Sequence, residues 1–100
     1  MAKEIVWTEK AQNDREKILK YWISRTGSEA YSIKLNFRFI EIVTILAEYP
    51  AIGKISEVEN IRFKIVSDYK IFYTVSPDTI NIITVWDTRQ DPEQLKENLR

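Results

Sequence analysis

Between Ile61 and Arg89 the chain reads IRFKIVSDYKIFYTVSPDTINIITVWDTR, and apolar and polar positions alternate through much of it. Ile61, Phe63 and Ile65 alternate with Arg62 and Lys64; Ile71, Tyr73 and Val75 alternate with Lys70, Phe72 and Thr74. A period of two marks strands with one face in a core. Ser67-Asp68 and Ser76-Pro77-Asp78-Thr79 interrupt the run, which predicts three short strands in a meander. If Val66 and Tyr69 paired directly across Ser67-Asp68, the apolar sets of the first two strands would fall on opposite faces. A pairing shifted by one residue, through a three-residue loop or a bulge, restores a single apolar face. The same shift gathers Arg62, Lys64 and Lys70 on the other face, with Phe72, Ile83 and Val85 among them and Arg89 just past the last strand. That mixed basic and apolar face is the expected working surface.

The pattern before the meander is helical. Glu4 to Trp7 suits a short strand, Thr8 a helix N-cap, and Glu9 the acidic first turn that the helix dipole favours. Ala11, Ile18, Leu19 and Trp22 share one side of a helix that runs to about Arg25, while Lys10, Asn13, Lys17 and Lys20 turn towards water. Gly27 suits a left-handed C-cap, and Ser28 the cap of a second helix over residues 29–48. Tyr31, Leu35, Phe39, Ile42, Val43 and Leu46 form its inner stripe, which Phe37 and Ile40 widen. Tyr49-Pro50 ends it, because a residue before proline resists the helical region. The short Thr26-Gly27-Ser28 link makes the two helices antiparallel neighbours. Residues 51–60 form a loop with room for a brief strand, and the tail QDPEQLKENLR holds one short helical turn or a mobile end.

The order β-α-α-β-β-β predicts an α+β domain spanning residues 1–100, with an antiparallel helical hairpin on one face of a small, mainly antiparallel sheet. Apolar residues on the opposite face call for a cover, and a partner chain is the natural candidate.

Composition removes several chemistries. There is no Cys, hence no disulfide or thiolate site, and no His, hence no Ser-His or Cys-His catalysis and no His-ligated metal. No cofactor is expected. With 15 basic and 15 acidic residues the net charge is zero, so affinity for nucleic acid would have to come from local clustering. MAKEIVWTEK has no apolar stretch long enough for a signal peptide, and no segment is long enough to span a membrane, so the expectation is a cytoplasmic protein.

The element order, the strand-turn-helix WTEKAQNDREKILKYW, the helix end AEYPAIG and above all DYKIFYTVSPDTINIITVWDTRQDPEQL resemble the RelE/ParE superfamily of type II toxins over essentially the whole chain. The resemblance implies a bacterial toxin restrained by a cognate antitoxin. It also implies one of two activities. RelE-type toxins cut mRNA on the ribosome with a Lys and Arg cluster, whereas ParE-type toxins inhibit DNA gyrase and lack a complete nuclease cluster. By position, Arg62 and Lys64 match two sheet cations of the RelE type, Lys70 the Arg after the strand Tyr, and Arg89 the last-strand Arg. RNA supplies its own 2′-OH nucleophile, so Arg and Lys that stabilise the phosphoryl charge suffice for much of that chemistry without metal or histidine. A lysine at position 70 lacks the bidentate fork of arginine. Where RelE-type toxins often carry a C-terminal Tyr or His, this chain has Asp91-Pro92-Glu93-Gln94-Leu95, which removes the obvious proton-transfer group. The resulting expectation is a ribosome-dependent mRNA endonuclease carried by Arg62, Lys64, Lys70 and Arg89. The alternatives are a gyrase inhibitor and a degenerate member that only binds its antitoxin.

Overall fold

The computed structural model describes residues 2–99, in the order β1 (Glu4–Trp7), α1 (Glu9–Thr26), α2 (Ala30–Glu48), a 3₁₀ turn (Pro50–Ile52), β2 (Lys54–Ile55), β3 (Arg62–Val66), β4 (Tyr69–Val75), β5 (Thr79–Asp87) and α3 (Pro92–Leu99). The five strands form one sheet ordered β1-β5-β4-β3-β2, antiparallel except for the parallel β1–β5 pair at one edge. The parallel pair follows from the chain path, since the helical hairpin carries β1 across the sheet before the meander begins.

The helices start and stop where local chemistry directs. Thr8 accepts from the Ala11 amide, and its hydroxyl donates to the Ile82 carbonyl at 2.8 Å, so one residue caps α1 and pins it to β5. Gly27 adopts φ 71° as the left-handed cap, and α2 ends at Glu48, just before Tyr49-Pro50. Leu35, Phe39, Val43 and Leu46 pack with Ala11 against Tyr69, Ile71, Tyr73, Ile80, Ile82 and Val85 to make the main core.

The register of the β3–β4 hairpin corrects the sequence expectation. Val66 pairs with Tyr69 directly across Ser67-Asp68, and Ser67 takes φ 56° to close the two-residue turn. Arg62 therefore stands opposite Tyr73, and Lys64 opposite Ile71, on the helix-facing side; Phe63 and Ile65 stand opposite Phe72 and Lys70 on the other side. The shift by one residue does not occur because the second face has its own apolar cluster. Ile61, Phe72 and Trp86 are buried there, with Val58, Phe63, Ile83, Leu95 and Leu99 packed around them. Once both faces bury apolar groups, burial no longer rewards a single-faced register.

A bulge in β5 makes a related change. Phe72 pairs with Thr84 but Tyr73 with Ile82, which leaves Ile83 as the extra residue. Ile80 and Ile82 before it and Val85 after it all reach the helix-side core, so Val85 does not belong to the second face. The expected cover for that face comes partly from the chain itself. Pro92 is the first residue of α3, where its missing N–H costs nothing, and the helix lays Leu95 and Leu99 on the cluster. Among the described residues no helix is long and apolar enough to cross a membrane.

Candidate functional site

The four cations expected to act together are distributed over both faces of the sheet. The Lys70 ammonium lies 4.6 Å from the centroid of the Phe63 ring on the second face. Around it Ile55, Val58, Phe63, Phe72, Leu95 and Leu99, with Ser56, Glu57, Glu93 and Lys96, line a mixed cleft of about 360 Å³. Lys64 stands across the ladder from Ile71, on the side that the helices cover. Arg62, on that same side, donates to the Gly53 carbonyl at 2.9 Å and so fastens a loop. Arg89 lies beyond β5, half exposed, with its Nε and Nη2 on the Asp87 carboxylate at 2.9 and 2.8 Å. The corrected register thus separates Lys70 from Arg62 and Lys64, and a single pocket of four converging cations is absent from the described residues.

Arg62 belongs to a structural knot. The Tyr73 hydroxyl donates to the Pro50 carbonyl at 2.7 Å and accepts from the Gly53 amide at 3.0 Å. Gly53 has an ordinary extended backbone, and its need is for space: a Cβ there would overlap the Tyr73 hydroxyl. Burial pushes the Tyr73 phenol above its usual value, partly offset by the Gly53 amide and Arg62.

Arg89 opens on a different constellation, which the sequence pattern missed. A groove of about 530 Å³ runs between α1 and the end of β5, with Lys10, Asp14, Lys17, Tyr69, Asp87 and Arg89 in its wall. The Trp22 indole N–H donates to the Tyr69 hydroxyl at 2.8 Å, and the Arg89 guanidinium stands 5.9 Å from the Trp22 ring. Burial pushes the Tyr69 phenol above its usual value. The Arg89 hydrogen bonds hold the Asp87 carboxyl below the usual carboxylate range. Deeper in, the Asp14 carboxylate accepts from the fully buried Thr84 hydroxyl, from the Val85 amide at 3.3 Å and from Lys10 at 3.0 Å. Thr84 carried a signal for this, because a hydroxyl inside the run Ile82–Trp86 needs a partner once buried. Asp14, four residues from both Lys10 and Ile18, sits at the border of the inner stripe of α1. Among the described residues no three potential metal-ligating side chains gather.

The fold so arranged is similar to structures already solved. The chain resembles the chromosomal ParDE toxin–antitoxin system from P. aeruginosa at 22% identity and a TM-score of 0.74, over 84% of this chain and 94% of that one. It also resembles the RelBE2 toxin–antitoxin complex from Mycobacterium tuberculosis at 18% identity and a TM-score of 0.57, over 85% and 96% of the two chains. No curated protein sequence matches it. The family model described as the ParE toxin of the type II toxin–antitoxin system, parDE, matches residues 5–92. With 88 of its 100 residues inside that match, the chain belongs to the ParE toxin family of type II toxin–antitoxin systems.

Proposed function

We propose that this toxin arrests growth by binding a protein target, DNA gyrase, in the manner implied for ParE-type toxins, and that a cognate antitoxin restrains it. The observation that carries this over mRNA cleavage is the placement of Lys64 and Lys70 on opposite sides of the sheet. Phosphoryl transfer needs cations held together around one phosphate, because stabilisation of the developing charge falls off as donors move out of hydrogen-bond range. Two further features support the same choice. The second face around Lys70 is packed with Phe63, Phe72, Leu95 and Leu99, and the stretch Asp91-Pro92-Glu93-Gln94-Leu95 holds neither the Tyr nor the His that RelE-type toxins often carry near the C-terminus. Outside the core, α2 also presents exposed Ile33, Phe37 and Ile40, with Phe37 68% exposed, a stripe suited to protein contact.

A gyrase supercoiling assay with purified toxin tests this. Dose-dependent loss of supercoiling, relieved by purified antitoxin, is the expected result. Supercoiling that proceeds unchanged in excess toxin, with ribosome-bound mRNA cut under the same conditions, would overturn the proposal.

A further inference from the structure

The groove between α1 and the end of β5 contains hydrogen-bond donors without acceptors. Tyr69 is 1% exposed, and its oxygen accepts the Trp22 indole N–H. Its own proton has no acceptor among the described residues, although a phenol carries one donor as well as its acceptor sites. Burial keeps that proton in place by raising the phenol's pKa. Arg89 spends Nε and Nη2 on Asp87 and leaves Nη1 without a partner among the described residues. Lys17 is exposed on the same wall and makes no ion pair among them. Both carboxylates in the wall are already committed, Asp14 to Thr84, Val85 and Lys10, and Asp87 to Arg89. Gln90, Gln94 and Asn98 add neutral amides to the wall, so the only anionic acceptors in it are the two committed carboxylates, and it carries more cations than acids.

We propose that this groove receives a carboxylate side chain from an acidic peptide segment of a partner protein. The carboxylate accepts from the Tyr69 hydroxyl and from the free edge of Arg89, with Lys17 closing the rim. Two donors in one groove wall match in number the two oxygens of a carboxylate. A phosphate needs more donors, and its second charge would be repelled by Asp14 and Asp87. The inference does not depend on gyrase being the target, because the groove is a property of the fold whichever protein the toxin inhibits.

The test is a nuclear magnetic resonance titration of the full chain, labelled with nitrogen-15, using acetylated tetraglutamate as probe and acetylated tetraglutamine as control. The Trp22 indole N–H, bonded to the Tyr69 hydroxyl, and the Arg89 Nε–H, on the same guanidinium as Nη1, are the neighbouring reporters of the two donors. Saturable shifts of both with tetraglutamate alone are expected. Tyr69→Phe and Arg89→Gln should each weaken binding by about tenfold or more, the usual loss for a hydrogen bond to a charged group. Arg89 is on the surface, so Arg89→Gln serves if Tyr69→Phe disturbs folding. The proposal is overturned if tetraglutamate leaves both resonances in place, if tetraglutamine shifts them equally, or if the variants bind like the native chain. Inorganic phosphate that produces the same shifts at lower concentration would overturn it in favour of a phosphate site.

Discussion

Lys64 stands directly across the β3–β4 ladder from Ile71, a residue with no exposed surface, whereas Lys70 stands across from Ile65 on the far side of the sheet. Two lysines six residues apart in sequence thus serve different faces. The two-residue turn at Ser67-Asp68 decides this, because a slip of one position would bring them together.

The Tyr73 knot predicts a coupled pair. Gly53→Ala should destabilise the protein by about 1–3 kcal/mol, since its methyl group forces the Tyr73 ring out of a packed site. Tyr73→Phe should cost about 1–2 kcal/mol through its two lost hydrogen bonds. In urea denaturation the double variant should lose less than the sum of the two, because Phe lacks the hydroxyl that overlaps most, although the ring edge at 2.7 Å must still shift. Strict additivity would show that the two residues do not compete for that space.

Asp14 and Thr84 should also behave as a unit. Asp14→Ala strands a hydroxyl with no exposure and is expected to cost about 1–3 kcal/mol in the same assay. Adding Thr84→Val removes the stranded group and should recover part of that loss.

At high pH the two buried phenols, Tyr69 and Tyr73, should hold their protons beyond the usual phenol value. Tyr69 and Tyr73 both have pKa values raised above the usual 10.0, primarily by burial. A raised folded-state pKa means that the stabilisation is complete below the unfolded value and is lost as pH climbs through the folded one. Phenolate absorbance should therefore show Tyr69 and Tyr73 ionising above the usual phenol value, with stability falling above about pH 10. Phenolate absorbance left unchanged above the usual phenol value by Tyr69→Phe and Tyr73→Phe would contradict the burial argument.

The α3 helix should act as a cover for the second face. Leu95→Ala with Leu99→Ala is expected to cost about 1–2 kcal/mol, less than for fully buried leucines because both side chains are only partly enclosed. Trp86 emission should move to longer wavelength as the cover loosens. An unchanged spectrum would mean that α3 does not pack on this cluster.

The sequence pattern located most of the architecture. Thr8, Gly27 and Pro50 marked the helix boundaries because capping and proline effects are local. The meander was legible because its turns are polar. What escaped the pattern depended on residues distant in sequence. The β3–β4 register turned on a cover that α3 provides about thirty residues later, and the parity change at Ile83 turned on a bulge that alternation does not announce. The tail, expected to hold at most one short helical turn, forms the eight-residue α3, which Pro92 begins because proline fits the first helical turn. The Trp22–Tyr69 pair joins positions 47 residues apart, and neither residue alone distinguishes a core aromatic from part of a groove.

The central claim is that this toxin does not work as a Lys/Arg nuclease, and the most direct measurement is growth arrest by the double variant Lys64→Gln, Lys70→Gln with antitoxin absent. Arrest equal to that of the native chain, with mRNA intact on ribosomes, is the expected result. A folded double variant that no longer arrests growth, beside a native toxin that cuts ribosome-bound mRNA, would contradict it.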